Sequence, residues 1–149
     1  MAGGAYAQGH VGPLHFFEEG EKVSAGSFKQ MLESVLVPFF HRCGMHVGLF
    51  DNAKVHNAKM LHDVFLRHGI VRTDHPPQSP EFNPIELPWN RMAYKLQGRL
   101  QFMQHVTMAA FKQEIMRAWQ VEAQLFAQDL LHVQTCMLKC HALGGGNGY

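Results

Sequence analysis

Four prolines, Pro76, Pro77, Pro80 and Pro84, divide this chain more firmly than any other feature. Each fixes φ, lacks an N–H and pushes the residue before it away from helical geometry, so no regular element fits until about residue 83. Before the prolines, short apolar stretches alternate with helical spacing. After them only helical spacing is found. Residues 4–8 and 11–18 read as a strand pair around Gly9-His10, with Pro13 at the entry to the second strand, where a missing donor is tolerated. Ser27 is the expected cap of a helix running to about Phe40, with Phe28, Met31, Leu32, Val35 and Leu36 at three/four spacing; Pro38 counts against its last turn. Val47 to Phe50 reads as a buried strand. His56 or Asn57 opens a helix carrying Met60, Leu61, Val64, Phe65 and His68, and Gly69 stops it. Gly69 to Thr73 is a further short strand. Helices are expected from Asn83 to about Leu100, from a Thr107 cap with Phe111, Ile115, Ala118 and Trp119 in register, and over about 122–141. The Gly-rich residues 144–149 read as a flexible tail.

Strands alternating with helices, followed by helices alone, predict an α/β fold built on a mixed sheet. With 149 residues and 46% hydrophobic content the chain suits one globular domain, taken as residues 1–143. Three cysteines (Cys43, Cys136, Cys140) cannot all pair with one another, which points to a reducing, intracellular setting. No secretory signal, membrane span or nuclear-type basic cluster is read in the sequence. A net charge of +1 supplies no strong field for nucleic acid.

Ligand sites in α/β sheets lie at the carboxyl ends of strands, and Asp51 follows one such end. Glu86 stands 35 positions later, in the first turn of the helix after the prolines. A hard divalent cation takes oxygen ligands and keeps several waters, so two or three carboxylates suffice to hold it. A pair of such ions about 4 Å apart can activate an attacking oxygen and steady a leaving one in phosphoryl transfer. Each residue also has a plainer use. Asn83, Pro84 and Glu86 fit a capping box, in which the Glu only satisfies a backbone N–H. Asp51-Asn52 suits a turn, and His56 is more often a surface or capping histidine than a ligand.

Two phrases taken together resemble the catalytic domain of Tc/mariner-type DDE transposases. One is Asp51-Asn52-Ala53 with His56. The other is Pro77-Gln78-Ser79-Pro80-Glu81-Phe82-Asn83-Pro84-Ile85-Glu86 with Trp89. The 34 residues between Asp51 and Glu86 match that family's spacing between its second and third acidic residues. Gly9 to Phe16 looks like the family's second and third strands, and the C-terminal helices with Trp119, Met137 and Tyr149 look like its end. The resemblance implies a ribonuclease-H-like mixed sheet flanked by helices, with a helical C-terminal part. It implies metal-dependent cleavage and strand transfer on transposon DNA ends, with Asp51 and Glu86 as catalytic ligands of Mg²⁺ or Mn²⁺. Asn52 and His56 take support roles. A homodimer follows from the family's paired reactions, and a nuclear location follows if the host is eukaryotic.

The pattern also breaks. The family's first acidic residue lies on a first strand, and no Asp precedes Asp51 here. Glu18, Glu19, Glu21 and Glu33 do not map to it. The expectation is therefore an N-terminally truncated catalytic domain lacking the first strand, inactive alone, with weak metal affinity. Leu87-Pro88 replaces the family's usual pair before Trp89, and Pro88, taken as about the fifth helical position, is expected to kink the helix. Arg91, Lys95 and Arg99 recur at four-residue spacing and offer a face for DNA phosphates, although a solvated face is the commoner meaning. That face carries the rival reading, a non-catalytic module binding nucleic acid or protein. His132, Cys136 and Cys140 form another stripe, for which small buried thiols on a helix face are a commoner reading than zinc.

Overall fold

In the computed structural model, residues 1–7, 9–51, 53–73, 75–100 and 106–145 are described; of Leu100 only the backbone is considered. Strands β1 (Ala2–Ala7) and β2 (His10–Phe16) pair across a two-residue connection, which only antiparallel strands allow. Pro13 is the fourth residue of β2, inside the strand rather than at its entry. A two-stranded sheet has only edge strands, so an unpaired side is available for a residue with no N–H.

Ser24, not Ser27, caps the next helix, α1 (Ala25–Met31). The Ser24 hydroxyl accepts from the Ser27 N–H at 3.1 Å, and the Ser24 N–H donates to the Ser27 hydroxyl at 2.9 Å. Ser27 is thus the third residue of a capping box, a place more often held by Glu or Gln, and that is why the sequence pointed three residues too late. α1 runs through a π-helical turn (Leu32–Leu36) into α2 (Val37–Arg42). The Val37 N–H reaches back five residues to the Leu32 carbonyl. This wider turn comes just before Pro38 and eases its ring past the Ser34 carbonyl, so the chain stays helical to Arg42.

β3 (Val47–Leu49) and β4 (Val71–Thr73) run parallel, with Val47 opposite Val71 and Leu49 opposite Thr73. Among the described residues these two pairs are separate two-stranded sheets, not one continuous mixed sheet. β3 is not the fully buried strand expected: Val47 and Leu49 are exposed and only Gly48 is buried. One face of this ladder packs and the other is open. α3 (Lys59–Arg67) connects the two strands and buries Leu61, Val64 and Phe65, as its spacing predicts. Its N-cap is Ala58, which makes no side-chain bond; Asn57 is used elsewhere. Gly69 follows at φ +62°, the left-handed conformation that a helix stop at this position requires.

Beyond a 3₁₀ turn (Pro80–Phe82) come α4 (Glu86–Leu100), α5 (Met108–Glu122), a second 3₁₀ turn (Ala123–Leu125) and α6 (Phe126–Ala142). Thr107 caps α5, its hydroxyl accepting from the Ala110 N–H at 3.2 Å. Pro88 is buried and is the third residue of α4, not the fifth. A first-turn N–H has no partner within the helix, so this proline breaks no helical hydrogen bond and the expected kink has no cause.

Contacts divide the chain into two compact units: Met1–Ala5 with Gly12–Ser79, and Tyr6–Val11 with Pro80–Tyr149. The first has one continuous apolar core, to which Phe28, Met31, Leu32 and Leu36 contribute from the first helical stretch, and Leu61, Val64 and Phe65 from α3. The second centres on Trp119, which is 1% exposed and stacks on Trp89 with ring centroids 4.9 Å apart.

Candidate functional site

Asp51 lies two residues past β3, in the first unit. Its Oδ1 accepts the Ala53 N–H at 3.0 Å, an Asx turn that fixes the carboxylate against its own backbone. The same oxygen is in close contact with His56 Nδ1. His56 is in turn placed by aromatic rings. Phe28 lies 4.1 Å from it, centroid to centroid, and Phe50 presents an edge at 6.4 Å. The His56 imidazole is the main cause holding the Asp51 carboxyl below the usual carboxylate range. Partial burial opposes this, and the Ala53 N–H and the nearby His75 add to it. Asp51 is therefore an oriented carboxylate, ionised at neutral pH.

Arg72, which the sequence reading passed over, ties β4 to this loop. Its Nη1 donates to the His56 carbonyl and its Nη2 to Asn57 Oδ1, both at 2.8 Å. Its guanidinium also lies over the rings of Phe50 and Phe65, at 5.6 and 5.4 Å. The sequence signal was a lone Arg at the centre of a short strand.

Glu86 opens α4 in the second unit. The plainer capping-box reading does not hold in this structure. The Asn83 N–H that the Glu86 carboxylate would satisfy donates instead to the Pro80 carbonyl at 3.0 Å. Asn83 does cap, accepting the Ile85 N–H through Oδ1 at 3.4 Å. Among the described residues the Glu86 carboxylate makes no hydrogen bond or ion pair. Asn52 lies outside the described residues.

Carboxylate oxygens are the right donors for a hard divalent cation. Even so, no group of three His, Cys, Asp or Glu among the described residues is arranged to hold a metal ion. One oxygen of Asp51 is already shared between His56 and Ala53. The donors described here fall short of a complete metal centre. Of the upstream acids, Glu33 is paired with Arg67 at 2.8 Å.

The basic stripe on α4 is engaged within the second unit. Arg91 donates from Nε to Glu122 at 2.5 Å, and from Nη1 and Nη2 to Asp129 at 2.7 and 2.9 Å. Lys95 pairs with the other oxygen of Glu122, and Arg99 with Glu114 at 2.8 Å. Glu122 and Asp129 are 1% and 3% exposed. Burial alone would raise the Glu122 pKa, but hydrogen bonds from Lys95 and Arg91 outweigh it and hold the carboxyl below its ordinary value. Tyr6 also meets Asp129, at 3.5 Å, and burial followed by that carboxylate pushes its phenol pKa up. Glu122 and Asp129 are the only acids after Glu114, set among apolar helical positions; charge complementarity with the stripe was the signal available. In the other stripe, Cys136 Sγ and His132 Nε2 stand 3.6 Å apart, one turn along α6.

A family model described as DDE superfamily endonuclease matches residues 6–108, a stretch that contains both Asp51 and Glu86. The transposable element Tc3 transposase of Caenorhabditis elegans is 28% identical over 124 residues, covering 80% of this chain and 36% of that protein. The chain thus spans about a third of the length of this curated relative. No solved structure matches.

Proposed function

We propose a function on one premise: this chain belongs to the DDE superfamily of endonucleases. On that premise it is the DNA-acting part of a Tc/mariner-type transposase, with a ribonuclease-H-like arrangement over residues 1–143; of the tail expected at 144–149, residues 146–149 lie outside the described residues. Asp51 and Glu86 are its catalytic carboxylates, His56 orients the first, and Asn52 keeps the support role that the family motif implies. The substrate is the phosphodiester backbone at transposon ends, the working form is a homodimer, and in a eukaryotic host the site of action is the nucleus. No described helix is long and apolar enough to cross a membrane. The observation that carries the reading is Asp51 itself: inside the matched region, past the end of a parallel strand, with its carboxylate ionised and fixed by His56 and Ala53.

Family chemistry calls for Mg²⁺ or Mn²⁺, and Asp51 and Glu86 are the residues we assign to it. With one oxygen of Asp51 already used and no group of three donors among the described residues, affinity is expected to be weak and this chain alone is expected not to cut DNA. The same observation favours the second reading, a transposase-derived module that binds without catalysis. A strand-nicking assay with Mg²⁺ or Mn²⁺, run beside a binding assay on the same duplex, tests both. Binding without nicking is the expected result. Nicking that disappears in Asp51→Asn would establish an active enzyme and overturn the inactive assignment. Absence of DNA binding would overturn the enzyme reading and leave, of the second, only a module that binds protein.

A further inference from the structure

The α4 stripe is neutralised by its own carboxylates, which leaves the question of where a nucleic-acid backbone would rest. In the first unit a cavity of about 530 Å³ is lined by Asn57, Lys59, His62, Phe65, Ile70 and Arg72, together with Ala58 and Leu66. No Asp or Glu lines it. Lys59 and His62 are three residues apart on α3, so they share a face. Neither forms an ion pair among the described residues. Arg72 donates from Nη1 and Nη2 to the neutral His56 carbonyl and the Asn57 amide, its buried Nε has no partner, and no carboxylate pairs with it among the described residues. No acidic residue stands in the first turn of α3. The floor is apolar, formed by Phe65 and Ile70, both buried. Two positive charges, on Lys59 and Arg72, beside the imidazole donor of His62 and over an apolar floor suit an anion that carries an apolar body. A phosphodiester with its sugar is such a group, and an acidic side chain on a hydrated surface is not.

We propose that the cavity at the start of α3 is a phosphodiester-binding groove, walled by Lys59, His62 and Arg72, that seats the backbone of a DNA strand. Through Arg72 it is joined to the loop that carries Asp51 and His56, because the same guanidinium lines the groove and holds the His56 carbonyl. A strand seated there is tethered to the loop of the assigned site. The inference rests on the DNA-acting reading for its occupant, but not for the anion preference of the groove.

The test uses the full 149-residue chain. A duplex oligonucleotide and, separately, inorganic phosphate are titrated against it, with amide resonances followed by NMR and affinity by fluorescence anisotropy at several salt concentrations. The oligonucleotide is expected to move the Lys59, Met60 and His62 amides. Lys59→Gln is expected to weaken binding uniformly across sequences and to lower the salt slope by about one. Arg72→Lys, which keeps the charge, is expected to bind more tightly than Arg72→Gln. Thermal melting of each variant separates lost binding from lost folding; Lys59 is exposed, so Lys59→Gln is expected to melt like the parent. DNA binding that leaves these amides and the Lys59→Gln affinity unchanged would overturn the groove while leaving the DNA reading intact. Phosphate moving the amides without any DNA binding would keep the groove as an anion site and remove the DNA reading. No response to either ligand would overturn the proposal outright.

Discussion

Arg91 illustrates how a residue singled out for one task can be held by another. Its guanidinium faces Glu122 and Asp129, two carboxylates that solvent barely reaches. Breaking a buried ion pair from one side leaves charge without compensation, so Arg91→Ala is expected to cost about 3 kcal/mol in chemical denaturation, the low end for such losses because Lys95 still faces Glu122. A cost near zero would place these carboxylates in contact with water. The acid limb of stability is set at the same scale. Glu122 has a folded pKa held below its unfolded value of 4.5, so the unfolded chain takes up a proton first as pH falls. Its stabilisation is complete well above 4.5 and is lost as pH drops through the depressed folded value. Asp51 follows the same sign, discounted because its side chain is 48% exposed. The melting temperature is expected to be level from neutral pH down to about 5 and to fall below about 4, less steeply in Glu122→Gln. Asp51 and Glu86 could be proposed from the sequence because a motif surrounds each. Arg72, Glu122 and Asp129 were not, because ion pairs and loop anchors between distant residues leave no local spacing to read.

At the scale of elements, helical periodicity was the most legible signal. Leu61, Val64 and Phe65 are buried as their spacing predicts, and Thr107 caps the helix it precedes. Caps made by unusual partners were missed: Ser24 works with a serine where Glu is expected, and Ala58 caps with no side chain. The π turn before Pro38 was also invisible, since it is an adjustment of register and not a change of composition. β3 read as a buried apolar strand, yet its only buried residue is the glycine. A Cβ on Gly48 would lie 2.7 Å from the Phe40 ring and 2.8 Å from the Phe50 ring. Both rings belong to the core and Phe50 immediately precedes Asp51. Gly48→Ala is therefore expected to cost about 1–3 kcal/mol through overpacking and to disturb the Asp51 loop. Unchanged denaturation would show that the rings can move aside freely.

For the whole molecule, the order of strands and helices was legible, but the joining of strands into sheets was not. Pairing depends on which edges meet, and two short ladders satisfy the same apolar pattern as one wider sheet. Family membership rests on the match over residues 6–108, and the site proposal on two carboxylates within it, Asp51 and Glu86. If those two share one divalent ion, a paramagnetic ion bound even weakly has to reach both. Mn²⁺ added in small steps to the isotopically labelled chain measures this directly through line broadening of backbone amides. The expected result is that the amides around Asp51 and those around Glu86 broaden together at the same Mn²⁺ concentration, and that both effects vanish in Asp51→Asn. Broadening at one carboxylate alone, or broadening around Glu86 that survives Asp51→Asn, would contradict a shared cation.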